Sequence, residues 1–431
     1  MLAVLGTVAA WYVGDALYND YAENHAELFS KDVLSNAWWE VAWFLIAFLL
    51  LAPWVHRRIN ARYLGATSRV TEMLDEGVEA PQFQSRMRRL LKACVAIWAI
   101  LAAIAAIRLG GDILFYFFPF LGPKADPWGR ARVGGTFDAW LSLAGYFQLA
   151  VASLFGVVAA LAKDARVRAV ALVGCALTWP YYIFDRTRNT MLAAALPAVL
   201  AWVFLRLRGG LLKKLVVLAG FFVVIEGWMT FVISNRSAIS ISAAIYERGT
   251  TDEQTRHLGL NMFEELCWIN TLIQDGSYNP NWGERYFAEI VNPIPRGIWP
   301  DKPYIGIDYA DVRGQGRGDD EQAGVNATIS TGMIGQGIVN FGRVLGPAFA
   351  AMLMSIWVAI LARLDLRGHE VGRLQLYVLG IVLTFNLGRD ITLITLYTFV
   401  IGWALVWYLN RSDRRVHSDE MEIDLPARHS Q

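Results

Sequence analysis

Apolar runs of about 18 or more residues recur along this chain. Each is long enough to cross the roughly 30 Å hydrocarbon core of a bilayer as a helix. The runs predict about ten spans, at 2–18, 38–55, 92–108, 138–162, 168–184, 190–206, 213–233, 343–362, 371–387 and 391–409. Helices satisfy their own backbone hydrogen bonds in lipid, so the pattern predicts an all-α polytopic membrane protein. A polar stretch of about 110 residues, 234–342, breaks the series after the seventh span. The expected organisation is spans one to seven over 1–233, a large loop over 234–342, spans eight to ten over 343–409 and a tail over 410–431. The aromatic run Leu114–Phe120 is too brief to span and reads as a re-entrant or interfacial segment. Within the loop, Phe263, Leu266, Cys267, Ile269, Leu272 and Ile273 recur at helical spacing and predict an amphipathic helix over Leu258–Asp275. The N-terminus lacks a basic region before its apolar run, which therefore reads as a retained span and not as a signal peptide.

Charge turns this pattern into an orientation. Lys and Arg gather in short loops on the cytoplasmic side of membrane proteins. The 56–91 loop carries Arg57, Arg58, Arg62, Arg69, Arg86, Arg88 and Arg89. Later turns carry Lys163, Arg166 and Arg168, then Arg206, Arg208, Lys213 and Lys214, then Arg363, Arg367 and Arg373, and the tail opens with Arg411, Arg414 and Arg415. These segments alternate correctly with a ten-span count and place both termini in the cytoplasm. The large loop then faces outward; it holds about eight basic and about fourteen acidic residues.

Composition narrows the classes further. The chain is 55% hydrophobic with 17 Trp and a formal charge of +1, which excludes one soluble core and gives no sign of a nucleic-acid partner. Cys94, Cys175 and Cys267 are too scattered for a disulfide framework or a zinc site. No metal or other cofactor is expected. His25 and His257 are the outward histidines, and Asp308–Glu321 is acidic without the ordered ligand spacing of a calcium loop.

Arginine at the outer boundary of the membrane runs against the usual charge asymmetry. It occurs in Asp185-Arg186-Thr187-Arg188-Asn189, at Arg296, and in Asn386-Leu387-Gly388-Arg389-Asp390. A guanidinium stays charged and donates in a planar fork that fits phosphate oxygens. Local pairing is the plainer reading: Asp185 with Arg186 or Arg188, and Asp390 with Arg389. Three such places around one face favour anion binding. Between Pro295 and Pro303 the prolines exclude regular helix, Trp299 suits an interface or a sugar ring, and Lys302 adds charge beside Arg296. Downstream, Ser330–Arg343 is rich in small residues that permit close packing or a tight re-entry. Gln336 and Asn340, four apart, share a helical face and could bond sugar hydroxyls or satisfy each other. Glu264, Glu265, Glu284 and Asp301 are the candidate carboxylates, and nothing in the sequence chooses a base among them.

The block Ile294-Pro295-Arg296-Gly297-Ile298-Trp299-Pro300-Asp301-Lys302-Pro303, the late outward loop, the many spans and the lead-in Val339-Asn340-Phe341-Gly342 carry a resemblance. Together they resemble the oligosaccharide repeat-unit polymerases of bacterial surface polysaccharide synthesis, the Wzy-type O-antigen and exopolysaccharide polymerases. Where that family often has an acidic residue after the glycine, this chain has Gly335-Gln336. The related O-antigen ligases usually carry a histidine late in the loop, and none occurs between 258 and 342, which favours a polymerase. The resemblance implies the helical fold of lipid-dependent C-type glycosyltransferases, without a cofactor. It implies a donor glycan on undecaprenyl diphosphate, a lipid-linked repeat unit as acceptor, and membrane lipid, a chain-length regulator and a flippase as partners. Arg186, Arg188, Arg296 and Arg389 are then expected to neutralise the leaving diphosphate, with Glu264, Glu265, Trp299, Lys302, Gln336 and Asn340 around the glycan. A ligase-like transferase, or a transporter or flippase of lipid-linked glycans, is the alternative.

Overall fold

A computed structural model describes residues 1–18, 21–61, 78–121, 125–128, 142–184, 188–234, 261–295, 297–303, 305–313, 329–364, 371–393 and 395–408. Arg186, Arg296 and His257 lie outside the described residues, and Arg188 is described only as the start of a helix.

The described residues are helical, with no strand among them. A helix occupies each of the ten apolar stretches, beginning with Leu2–Val8 and its continuation to Tyr18 and ending with Thr395–Tyr408. Four are long and apolar enough to cross a membrane: Lys31–Asn60, Phe83–Phe117, Leu143–Leu161 and Gly332–Ala362. Leu2–Leu17, Asn189–Leu205, Val371–Leu387 and Thr395–Tyr408 are shorter apolar helices. The chain is a helical membrane protein. Many of its large apolar side chains face outward, among them Leu50, Ile107, Leu212 and Phe222. That distribution suits lipid as the surrounding solvent.

Lys31–Asn60 opens on Ser30, whose hydroxyl accepts from the Val33 amide at 3.3 Å. It runs in the same direction as the part of Gly332–Ala362 that starts at Arg343. Arg343 Nε reaches Glu40 at 2.9 Å near one end, and Asn60 Nδ2 donates to the Ala359 carbonyl at 3.2 Å near the other. The aromatic segment Ile113–Phe117 continues Pro81–Leu109 through a single 3-10 turn, Gly110–Asp112, and buries Tyr116 against Trp128 and Tyr181.

Two ends of the bundle differ in chemistry. At the first, Lys163 pairs with Glu79 at 3.0 Å, Arg88 with Asp164 at 2.8 Å, and Arg206 donates to the Leu161 carbonyl at 2.7 Å. Three of the basic segments therefore meet there. At the second, Met333 N donates to the Gly388 carbonyl at 3.1 Å, and Asn386 Nδ2 donates to the Asn189 carbonyl at 3.3 Å. Asp15 accepts from the Glu264 amide at 2.8 Å at the same end and so covers the first turn of the loop helix Met262–Gln274.

Gly332–Ala362 is two helices. Gly342 has φ 74° and ψ −179°, a conformation that only glycine adopts readily, and the chain breaks there. The first half folds back onto the second. Gly337 lies so close to Gly346 that a Cβ on either would overlap the backbone of the other. In a straight helix two residues nine apart would be about 13 Å distant. The small-residue run thus makes a tight return, and the short arm Gly332–Phe341 sits buried against Leu266 and Ile269 of the loop helix.

Candidate functional site

The second end is assembled from the loop. The helix Glu284–Val291 is docked on the buried arm: the Asn281 amide donates to the Val339 carbonyl at 2.9 Å and the Tyr286 amide to Asn340 Oδ1 at 3.3 Å. Its polarity is inverted. Arg285, Ala288, Glu289 and Asn292 are buried and Phe287 and Ile290 are exposed. The exposed apolar residues continue into Trp282, 76% exposed, and Ile298, 60% exposed. Trp299 packs edge-on against Phe287, with ring centroids 6.3 Å apart. An apolar outer face with a charged inner face fits a helix lying at a membrane boundary and lining a polar interior.

Beneath it the inner face meets the turn that follows Val371–Leu387. Arg285 Nη2 lies 3.5 Å from Asp390 Oδ1, with the two side chains 2% and 12% exposed, and also donates to the Ile329 carbonyl at 3.3 Å. Asp390 Oδ1 accepts further from the Thr331 amide at 3.1 Å and its hydroxyl at 3.2 Å. Arg285 Nε and Nη1 meet no acceptor, and neither oxygen of Glu289, 3% exposed, meets a donor. The Leu393 amide lies close enough to favour the Glu289 carboxylate but falls outside hydrogen-bond geometry. Burial pushes the Glu289 carboxyl up to about 7; Arg285 opposes this and Asp390 adds to it. Tyr286, Tyr146 and Tyr397 stand within electrostatic reach, and the hydroxyls of Tyr286 and Tyr397 are buried without partners. Buried polar groups are normally bonded, so this many open donors and acceptors in one place mark a site prepared for polar occupants.

The singled-out residues that the structure describes have the following positions. Arg389 is exposed, its Nε donating to Ser330 Oγ at 2.7 Å. It does not pair with Asp390, which belongs to Arg285. Asn189, next to Arg188, bonds to Asn386, so the start of the helix Arg188–Leu205 and the turn carrying Arg389 are neighbours. Gln336 is fully buried and clamps the turn beyond Arg389, donating to the Ile391 carbonyl at 3.2 Å and accepting from its amide at 2.8 Å. Asn340 Nδ2 donates to the Gln336 carbonyl at 2.7 Å. Both amides hold the scaffold. Lys302 is buried and donates to the carbonyls of Asn292 and Ile294, each at 2.6 Å, so its ammonium locks the proline-rich block onto the end of Glu284–Val291.

Glu264 accepts from Trp268 Nε1 at 3.4 Å, while Glu265 is buried in a second cluster. Tyr309 donates to Glu265 Oε1, and Arg313 reaches both carboxylate oxygens at 3.4 Å while lying 4.4 Å above the Trp268 ring. Burial and then the Glu265 charge push the Tyr309 phenol well above its usual range. Asp308 accepts from Tyr278 at 2.6 Å and from Asn281 at 3.1 Å. These partnered groups fix the loop in place. The three cysteines are free and buried, and no metal-holding group of His, Cys, Asp or Glu occurs among the described residues.

Arg285 and Glu289 escaped the sequence reading. The signal was present: two charges four residues apart, with Phe287 and Ile290 on the opposite face. The Pro and Gly residues that flank the segment hid the helix that carries it. No protein-family model, curated protein or solved structure matches the chain.

Proposed function

We propose that this protein is a membrane glycosyltransferase that polymerises undecaprenyl-diphosphate-linked oligosaccharide repeat units on the outer side of a bacterial inner membrane. The observation that most supports this reading is the convergence at one end of the bundle. The start of the helix Arg188–Leu205, the turn bearing Arg389 and the charged helix of the large loop share that end, tied by Asn189–Asn386 and Arg285–Asp390. Cationic groups fixed beside an apolar, tryptophan-bearing rim suit a substrate with a diphosphate head and a hydrocarbon tail. The basic segments gathered at the opposite end support a cytoplasmic placement for that end, and hence an outward placement for the loop.

In this reading the acceptor hydroxyl attacks the anomeric carbon of the lipid-linked donor. The bond from that carbon to the diphosphate breaks, and the electron pair stays on the diphosphate oxygen. Arg389, exposed and held by one neutral hydroxyl, is available to the departing charge. Fixed positive charge at a developing anion lowers the barrier most where water is excluded. Arg186, Arg188 and Arg296 are assigned the same task. Gln336, Asn340 and Lys302 take positioning roles, since their polar atoms bond to the scaffold.

Deletion of the gene tests the reading in cells. The expected phenotype is surface glycan of single repeat units, with lipid-linked units accumulating on the outer leaflet. Accumulation on the inner leaflet would instead mark a flippase, and full-length glycan left on the lipid would mark a ligase.

A further inference from the structure

We propose that Glu289 takes the proton from the attacking hydroxyl, with Arg285 beside it stabilising the ionised carboxylate that does so. The step rests on the polymerase reading and completes its balance: the hydroxyl oxygen bonds to the anomeric carbon, the diphosphate leaves with the bonding pair, and the proton passes to a Glu289 oxygen.

Three observations place Glu289 in this role. It sits on the inner face of Glu284–Val291, one turn from Arg285, and both its oxygens are open to a donor. Other buried carboxylates at this end are engaged: Asp390 by Thr331 and Arg285, and Glu265 by Tyr309 and Arg313. Among the described residues, five titratable groups face Glu289. Arg285 and Tyr286 come from its own helix, Asp390 from the turn after Val371–Leu387, Tyr146 from Ser142–Leu161 and Tyr397 from Thr395–Tyr408. A carboxylate in this setting titrates at about 7, where a general base combines sufficient ionised form with sufficient proton affinity. In the described conformation Glu289 is 3% exposed, so a sugar hydroxyl reaches it only when the eight-residue helix that carries it shifts. The same cover keeps water from hydrolysing the donor.

The test uses the full chain in lipid nanodiscs and lipid-linked oligosaccharides extracted from cells in which its gene is deleted. The wild-type rate of chain extension is expected to rise through pH 7 as Glu289 ionises, because the protonated acid cannot accept a proton. Glu289→Gln keeps the volume and is expected to lose on the order of 100-fold or more in rate. Glu289→Asp is expected to retain a slower rate with a rising limb. Infrared titration adds a second readout: the carbonyl band of a protonated carboxyl, absent from Glu289→Gln, should fade over the same pH interval. Wild-type extension that E289Q matches, or a flat wild-type pH profile, overturns the base assignment and leaves the polymerase standing. No extension by the wild type overturns both. If E289Q does not fold, the profile of E289D decides: a rising limb supports the assignment, and a flat profile overturns it.

Discussion

At the scale of residues, arginines that look alike in the sequence separate into two kinds. Arg285 is buried and held by Asp390 and the Ile329 carbonyl, whereas Arg389 is exposed with a single neutral partner. Removing one member of a buried ion pair leaves the other charge uncompensated and costs about 3–5 kcal/mol. Arg285→Ala is therefore expected to lower stability by that order. Arg389→Ala is expected to change stability by less than about 0.5 kcal/mol, as for most surface substitutions. Under the proposed function Arg389→Ala nonetheless loses activity. Denaturant unfolding in detergent, paired with chain-extension assays of both variants, checks the contrast. Equal loss of stability in the two would show that the pairing is wrongly assigned. The sequence made Arg389 visible because its turn breaks the charge rule. It could not reveal that Asp390 serves Arg285, about a hundred residues away, because periodicity carries no information about pairing at that separation.

At the scale of elements, the helical pattern was legible almost throughout. Helices occupy the apolar runs, four of them long and apolar enough to cross a membrane, and the loop helix expected over Leu258–Asp275 is described as Met262–Gln274. Ile113–Phe117 follows Pro81–Leu109 after a single 3-10 turn, with Gly110 at φ 54° ending the first helix. One element escaped. The helix Glu284–Val291 is too short and too charged to register as membrane-facing, yet its outer face is the apolar one. The return at Gly342 gives the clearest test at this scale. Gly337→Ala forces a methyl into the Gly346 backbone, which cannot swing aside as a side chain would. Overpacking of this kind costs about 1–3 kcal/mol. Gly220→Ala, with nothing within 4 Å of the added carbon, is the matched control. Thermal unfolding should show a lower midpoint for G337A and an unchanged or slightly higher one for G220A. A tolerated alanine at 337 would contradict the folded-back arm.

At the scale of the whole molecule, the bundle separates two tasks between its ends. One end collects lysine and arginine in exposed pairs with Glu79 and Asp164, worth little to stability and suited to the charge rule that orients membrane proteins. The other end buries its charges beneath a helix with an apolar outer face and keeps Arg389 on the surface. Composition and charge patterning made the first end readable. The second depends on a fold that brings residues 12, 189, 285, 334 and 390 to one place. The proposed polymerase makes direct use of that division, with a diphosphate head at the cationic end and its hydrocarbon tail in the surrounding lipid. The measurement closest to this claim gives the purified chain, in nanodiscs, extracted lipid-linked repeat units without nucleotide sugar or divalent metal. The account predicts a ladder of lengthened lipid-linked products, with one undecaprenyl diphosphate released for each bond formed. Repeat units that stay single while the protein is folded would contradict it.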